Sequence, residues 1–292
     1  MLHRIILSLS CIVYSASNLA QNETLLDTTQ THLETNKLTT WDLVKNDASL
    51  AWGGFKHVYS RPFHWQKDDI AIASGVILGV AGLNLIDEDA NTYFNKQGEK
   101  IPDVIHDIGF YFGSPQNNYG LTGGLYLVGL FTKSEKLRRT GILMITAASA
   151  AGLVQTVSKT AFGRARPKAG GKFTFKPFSS EGAYHSFPSG HTILAFTTLY
   201  SLSKQFDNIW VKAGLITVGM VSPVSRLWAG AHWLTDVALS TALTVVVVDA
   251  VDKYLDKNMK SNAALLSEKK ARNKISWRFQ LGAGTIGLKG TF

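Results

Sequence analysis

Only one cysteine, Cys11, occurs in the 292 residues. No intrachain disulfide can form, and a metal site built on several thiolates is excluded. A lipid-modified cysteine fits poorly, because Ser8-Leu9-Ser10 precedes it and the apolar run continues beyond it. Charge is scarce too: Asp, Glu, Lys and Arg make up 17% of the chain, against about 25% in soluble domains. Such a chain is expected to bury much of its surface in lipid or in a helical core. Apolar runs as long as a full membrane span are lacking, and mean hydropathy is only +0.04. A tight bundle of spans would be more hydrophobic. Acidic residues are outnumbered 21 to 30, leaving a net charge of +9. That balance suits anionic partners such as phosphates or acidic lipids. No nucleic-acid motif accompanies it. Part of it sits in a solvated basic tail at Lys269, Lys270, Arg272 and Lys274, so no nucleic-acid partner is expected.

What is present begins with an export-signal pattern at 1–20. His3 and Arg4 precede an apolar run from Ile5 to Tyr14, and Ala20 suits the last residue before cleavage. An uncleaved anchor is the alternative. Residues 21–67 form a polar segment that turns aromatic around Trp52, Phe55, Tyr59, Phe63 and Trp65. Six apolar segments follow: Ile70–Ile86, Tyr119–Phe131, Gly141–Val157, Thr192–Leu202, Val211–Val224 and Val237–Val248. Their lengths, 11 to 17 residues, suit helices rather than strands. The expectation is an all-α fold, with a helical bundle of about six core helices over 68–256. A Gly-, Pro- and Ser-rich loop, Ala165–Pro188, interrupts it. Residues 257–292 form a basic linker and tail, in which Ser276–Phe292 alternates apolar residues with glycines as a strand or hairpin does.

Three short stretches carry candidate chemistry. In Lys159-Thr-Ala-Phe-Gly-Arg-Ala-Arg166-Pro167 the two cations stand seven apart. They share a face if the preceding helix runs through them. Arg offers a fork of donors to phosphate oxygens and Lys a point charge, although flank charges after an apolar helix look the same. In Ser186-Phe-Pro188-Ser189-Gly190-His191, a Pro-Ser-Gly turn opens a helix. Amides at a helix start favour an anion, and His191 stands where it can protonate a leaving group. An ordinary Ser cap beside an incidental histidine is the plainer reading. In Ser225-Arg226-Leu-Trp-Ala-Gly-Ala-His232-Trp-Leu-Thr-Asp236, His232 and Asp236 are four apart and neighbours on a helical face. A carboxylate on one imidazole nitrogen leaves the other free as nucleophile or base. A surface His–Asp pair has the same spacing.

Together and in this order, the stretches resemble the signature of the type 2 phosphatidic acid phosphatase family. That superfamily also holds bacterial non-specific acid phosphatases and vanadium haloperoxidases. The resemblance covers 78 residues, Lys159 to Asp236. It implies that His232 attacks phosphorus and forms a phosphohistidine, that Asp236 orients His232, and that His191 protonates the leaving oxygen and then activates water. It further implies that Lys159, Arg166 and Arg226 hold the phosphoryl oxygens with Ser189 and the Gly190 amide. No metal or other cofactor is implied, and vanadate would enter only as a phosphate mimic. The implied substrate is a phosphomonoester or pyrophosphate, of a lipid such as phosphatidate, an isoprenyl diphosphate or lipid A, or else a small phosphate ester. A vanadium-dependent haloperoxidase and a soluble periplasmic acid phosphatase are the rival expectations.

The catalytic stretches fall at one end of the apolar segments. Lys133–Arg139, Lys204–Lys212 and Lys253–Lys260 fall at the other. The positive-inside rule then turns the catalytic end outward, toward the periplasm of a Gram-negative-type envelope. Six crossings would leave the chain before Ile70 inside, against a cleaved signal. Either one segment does not cross, or the bundle is soluble or peripheral. Membrane association is favoured, since runs such as Gly75–Leu83 are costly to leave near water.

Overall fold

The computed structural model describes residues 39–272, 276–282 and 285–291, with side chains to residue 259. The export-signal pattern lies outside the described residues. Helix α1 (Thr40–Ser60) starts at a capping box, in which Thr39 Oγ1 accepts from the Asp42 amide and Asp42 Oδ2 from the Thr39 amide. Leu43, Asp47, Leu50 and Gly54 recur at helical spacing and form its buried face. The bundle therefore begins ahead of residue 68, where it was expected. Asn46 and Asp47 lie on this buried face and break its apolar stripe.

Helix α2 (Lys67–Leu83) continues through a tight 3₁₀ turn at Asn84–Ile86 into α3 (Asp87–Gly98). Short α4 (Asp103–Phe112) and apolar α5 (Pro115–Phe131) follow. Helix α6 (Glu135–Phe162) stops at Gly163, whose φ of 58° is left-handed. A side chain there would collide with the Lys176 carbonyl, so the residue type sets the stop. After the loop come α7 (Gly190–Ser203), α8 (Ile209–Gly219), α9 (Val221–Trp228) and α10 (Leu234–Arg272). The single apolar segment expected at Val211–Val224 is thus divided between α8 and α9. The polar stretch Asp87–Gly98 is helical as well. Strands β1 (Ser276–Gly282) and β2 (Thr285–Thr291) pair antiparallel, from Ser276 opposite Thr291 to Gly282 opposite Thr285. The fold is all-α with a C-terminal hairpin, as its apolar periodicity leads one to expect.

The core lies among α1, α6, α7 and α10, where Leu50, Leu143, Ile193, Val248, Val251 and Leu255 are fully buried. Alanines at 147, 150 and 151 let α6 sit close to its neighbours. Helix α2 rests on α10, and α9 packs on α3, α4 and α7. Among the described residues, three stretches are long and apolar enough to cross a membrane: Lys67–Gly98, Glu135–Phe162 and Leu234–Met259. They exceed the 11 to 17 residues of the apolar runs because each helix continues into polar sequence. Helix α2 has no fully buried residue.

One group of ion pairs lies at one end of this bundle. Arg138 bonds Asp47 at 2.8 and 3.1 Å, Arg139 bridges Asp252 and Asp256, and Lys204 pairs with Asp249. Arg138 and Lys159 are 21 residues apart on α6, which is about 30 Å along the axis.

Candidate active site

All three stretches meet at the opposite end, where α6 finishes and α7 and α10 begin. Lys159 occupies the last turn of α6 and is half-buried. The helix does not run on to Arg166, as a shared face would require. The left-handed Gly163 turns the chain, and Arg166 sits in the loop. Arg166 is aimed by main-chain carbonyls: Nε donates to Gly182 O at 3.0 Å and Nη1 to Ala231 O at 3.2 Å. Arg226, in the last turn of α9, is buried, with its guanidinium 5.0 Å from the centre of the Phe110 ring. Burial and then Arg166 lower its pKa to about 10, so it remains a cation at neutral pH.

Gly190 and His191 open α7, and the first amides of a helix have no intrahelical acceptor. A side chain on Gly190 would meet the Gln155 amide at 2.8–3.1 Å, so glycine keeps this approach open. Ser189, an expected phosphate ligand, makes contacts inside the bundle as well. It is fully buried, its N–H donates to Ser240 Oγ at 2.8 Å, and its hydroxyl accepts from Thr192. His191 lies against Phe110 with ring centres 5.1 Å apart, and its buried Nε2 has no partner among the described residues. Burial first, then Arg226, His232, Lys159 and Arg166, push its pKa down to about 4. The imidazole is therefore neutral at pH 7 until something anionic enters.

His232 stands two residues ahead of α10 and is 2% exposed. Its Nδ1 lies 2.6 Å from the Ser186 carbonyl. A carbonyl only accepts, so Nδ1 carries the proton and Nε2 keeps its lone pair. The carboxylate of Asp236 stands 3.6 Å from Nδ1, too far for a hydrogen bond. It acts on the ring as a charge and through Ser186, whose hydroxyl donates to Asp236 Oδ2 at 2.5 Å. Burial lowers the His232 pKa, with Asp236 opposing and Arg166 and Lys159 adding to the fall.

Asp236 is itself held on every side. Arg164 Nη1 donates to Oδ1 at 2.6 Å and the Trp233 amide to Oδ2 at 2.9 Å. Arg164, 5% exposed, also reaches Asp87 Oδ2 at 2.9 Å and Thr235 Oγ1 at 2.8 Å. Sequence reasoning passed over Arg164, Ser186 and Asp87. Arg164 stood in view between Lys159 and Arg166, and Ser186 opened the second stretch. Asp87 carried no signal beyond ending an apolar segment. Among the described residues, no group of three or more His, Cys, Asp and Glu side chains could hold a metal ion.

Residues 140–260 match the sequence model of the PAP2 superfamily. This segment, less than half of the chain, resembles a PAP2 domain. It includes every residue of the cluster except Asp87 and Phe110. Two curated relatives are lipid A 1-phosphatases of Rhizobium. The Rhizobium etli protein is 36% identical over 107 residues, 35% of this chain and 44% of the relative. The Rhizobium johnstonii protein is 38% identical over 96 residues, 31% of this chain and 38% of the relative. The lipid A 1-phosphatase of Porphyromonas gingivalis is 34% identical over 80 residues, 26% of this chain and 18% of the relative. Each match thus spans less than half of the relative's length. Among solved structures, the crystal structure of Aquifex aeolicus LpxE aligns with a TM-score of 0.43 and 22% identity, covering 56% of this chain and 94% of that one.

Proposed function

We propose that the PAP2 domain is a metal-independent phosphatase that removes phosphate from a lipid phosphomonoester or pyrophosphate through a phosphohistidine at His232. The observation that carries this reading is the Ser186 carbonyl on His232 Nδ1. It fixes the tautomer and leaves the Nε2 lone pair for attack. Nε2 bonds to phosphorus as the bond to the leaving oxygen breaks, and His191 gives that oxygen a proton. Water then gives a proton back to His191 and attacks phosphorus, the P–N bond breaks, and phosphate leaves.

Lys159, Arg166 and Arg226 supply the positive charge for the equatorial oxygens, with the Gly190 amide beside them. Positioning and charge are most of what phosphoryl transfer needs. The low His191 pKa fits this sequence of events. Four neighbouring groups that carry or can carry positive charge depress it. A bound phosphoryl dianion offsets them and raises it, so the acid forms when substrate is in place.

A lipid substrate, of phosphatidate, isoprenyl diphosphate or lipid A type, is supported by the three apolar stretches. The names of the curated relatives point the same way. The separation of about 30 Å between the Arg138 layer and Lys159 suits the thickness of a bilayer core. Lys133, Lys136, Arg138 and Arg139 at the far end favour a cytoplasmic placement there, with the site facing the periplasm. The test is phosphate release by purified protein from these lipids in detergent, with acid quenching to trap label on His232. Release by His232→Ala equal to wild type would sink the proposal.

A further inference from the structure

We propose that Asp87, outside the PAP2 segment, is a positioning residue that aligns the catalytic histidine through Arg164. The inference rests on the phosphatase reading above and adds a residue to its machinery.

Asp87 is the first residue of α3 and is fully buried. Its Oδ1 accepts the Thr235 amide at 2.9 Å. Thr235 lies in the first turn of α10, so a carboxylate from a distant helix caps the helix that follows His232. Its Oδ2 accepts from Thr235 Oγ1 at 2.6 Å, Arg164 Nη2 at 2.9 Å and Asn84 Nδ2 at 3.2 Å. One guanidinium thus joins two carboxylates, Asp87 and Asp236, both without exposed surface.

A chain of contacts leads from here to the reacting nitrogen. Asp87 and Asp236 hold the two ends of the Arg164 fork. Asp236 then receives the Ser186 hydroxyl, and the Arg164 carbonyl receives the Ser186 amide at 3.0 Å. Both bonds fix Ser186, whose carbonyl accepts the hydrogen bond from His232 Nδ1–H. Without Asp87, Nη2 loses its carboxylate and the Thr235 amide its acceptor. The fork and the start of α10 can then shift, and the Ser186 carbonyl with them. The phosphate cations Lys159, Arg166 and Arg226 make none of these bonds, so their hold on phosphate is unaffected.

The test compares full-length wild type with Asp87→Ala and Asp87→Asn. Asparagine keeps the shape but places a donor where only acceptors fit, so both variants should fail alike. The expected result is a fall in kcat on the order of 10–100-fold, the scale seen when groups that orient catalytic ligands are removed. Inhibition by inorganic phosphate should be unchanged. Nitrogen-15 NMR of labelled histidine should show His232 as the Nδ1–H tautomer in wild type and a mixture in the variants. An unchanged kcat and tautomer would overturn the inference. So would full activity in Asp87→Asn alone, because that assigns Asp87 a space-filling role. If wild type cleaves no phosphate ester, the phosphatase reading fails, and the NMR comparison still decides whether Asp87 aligns His232.

Discussion

His232 Nδ1–H donates a hydrogen bond to the main-chain carbonyl of Ser186 at 2.6 Å. A main-chain acceptor cannot be removed by a side-chain substitution. The tautomer therefore depends on where Ser186 is held more than on any one carboxylate.

Asp236→Asn should consequently reduce kcat less than His232→Ala does. The carboxylate stands 3.6 Å from the ring and acts through its charge and through Ser186. We expect a loss on the order of 10–100-fold, as for other orienting groups, against complete loss for His232→Ala. Single-turnover phosphate release on both variants checks the ranking.

His191 should make the free protein acid-sensitive. Its folded pKa of about 4 lies below its ordinary 6.5. Between these values the unfolded chain binds the extra proton. The stabilising contribution is full above pH 6.5 and is lost as pH falls toward 4. Arg226→Gln removes the largest charge acting on His191, so its pKa should rise. NMR titration of the His191 ring in both proteins measures the direction, and a further fall would contradict this account.

Vanadate should inhibit by occupying the phosphoryl site. Arg226→Ala and Lys159→Ala each delete a charged donor, worth about 1.5–3 kcal/mol. Inhibition constants should rise by roughly 10- to 150-fold by the same scale. Equal inhibition of wild type and both variants would place the anion elsewhere.

The Arg138–Asp47 pair should matter for stability and not for chemistry. Asp47→Ala strands a buried guanidinium, at a cost of about 3–5 kcal/mol. Combining Asp47→Leu with Arg138→Met should restore most of that, since apolar replacement of both partners is close to neutral. Thermal unfolding gives the ranking, and kcat on a soluble phosphate ester should be unchanged throughout.

Much of the fold was legible because apolar runs at helical length were long and separated by charge. Helix α1 was missed where Asn46 and Asp47 lie on its buried face, since polar residues inside a buried stripe break the pattern. Residues 87–98 were missed for the opposite reason: a polar helix has no apolar stripe to see. Lys159, Arg166, His191, Arg226, His232 and Asp236 were singled out as candidates by the order of three short stretches and the family these resemble. Arg164 was in view but had no spacing rule to single it out, and Asp87 was more than seventy residues from the motifs.

By itself the sequence determined the all-helical class, the scarcity of charge and the residue types at the site. These follow from local periodicity and composition, which act within a few turns of chain. Only the tertiary structure decided that Ser186, and not Asp236, accepts the hydrogen bond from His232 Nδ1–H. It likewise decided that Arg164 binds Asp87 and Asp236 together. Such choices depend on differences of about an ångström between groups that meet only when α3, the loop and α10 are packed. No spacing along one segment encodes them.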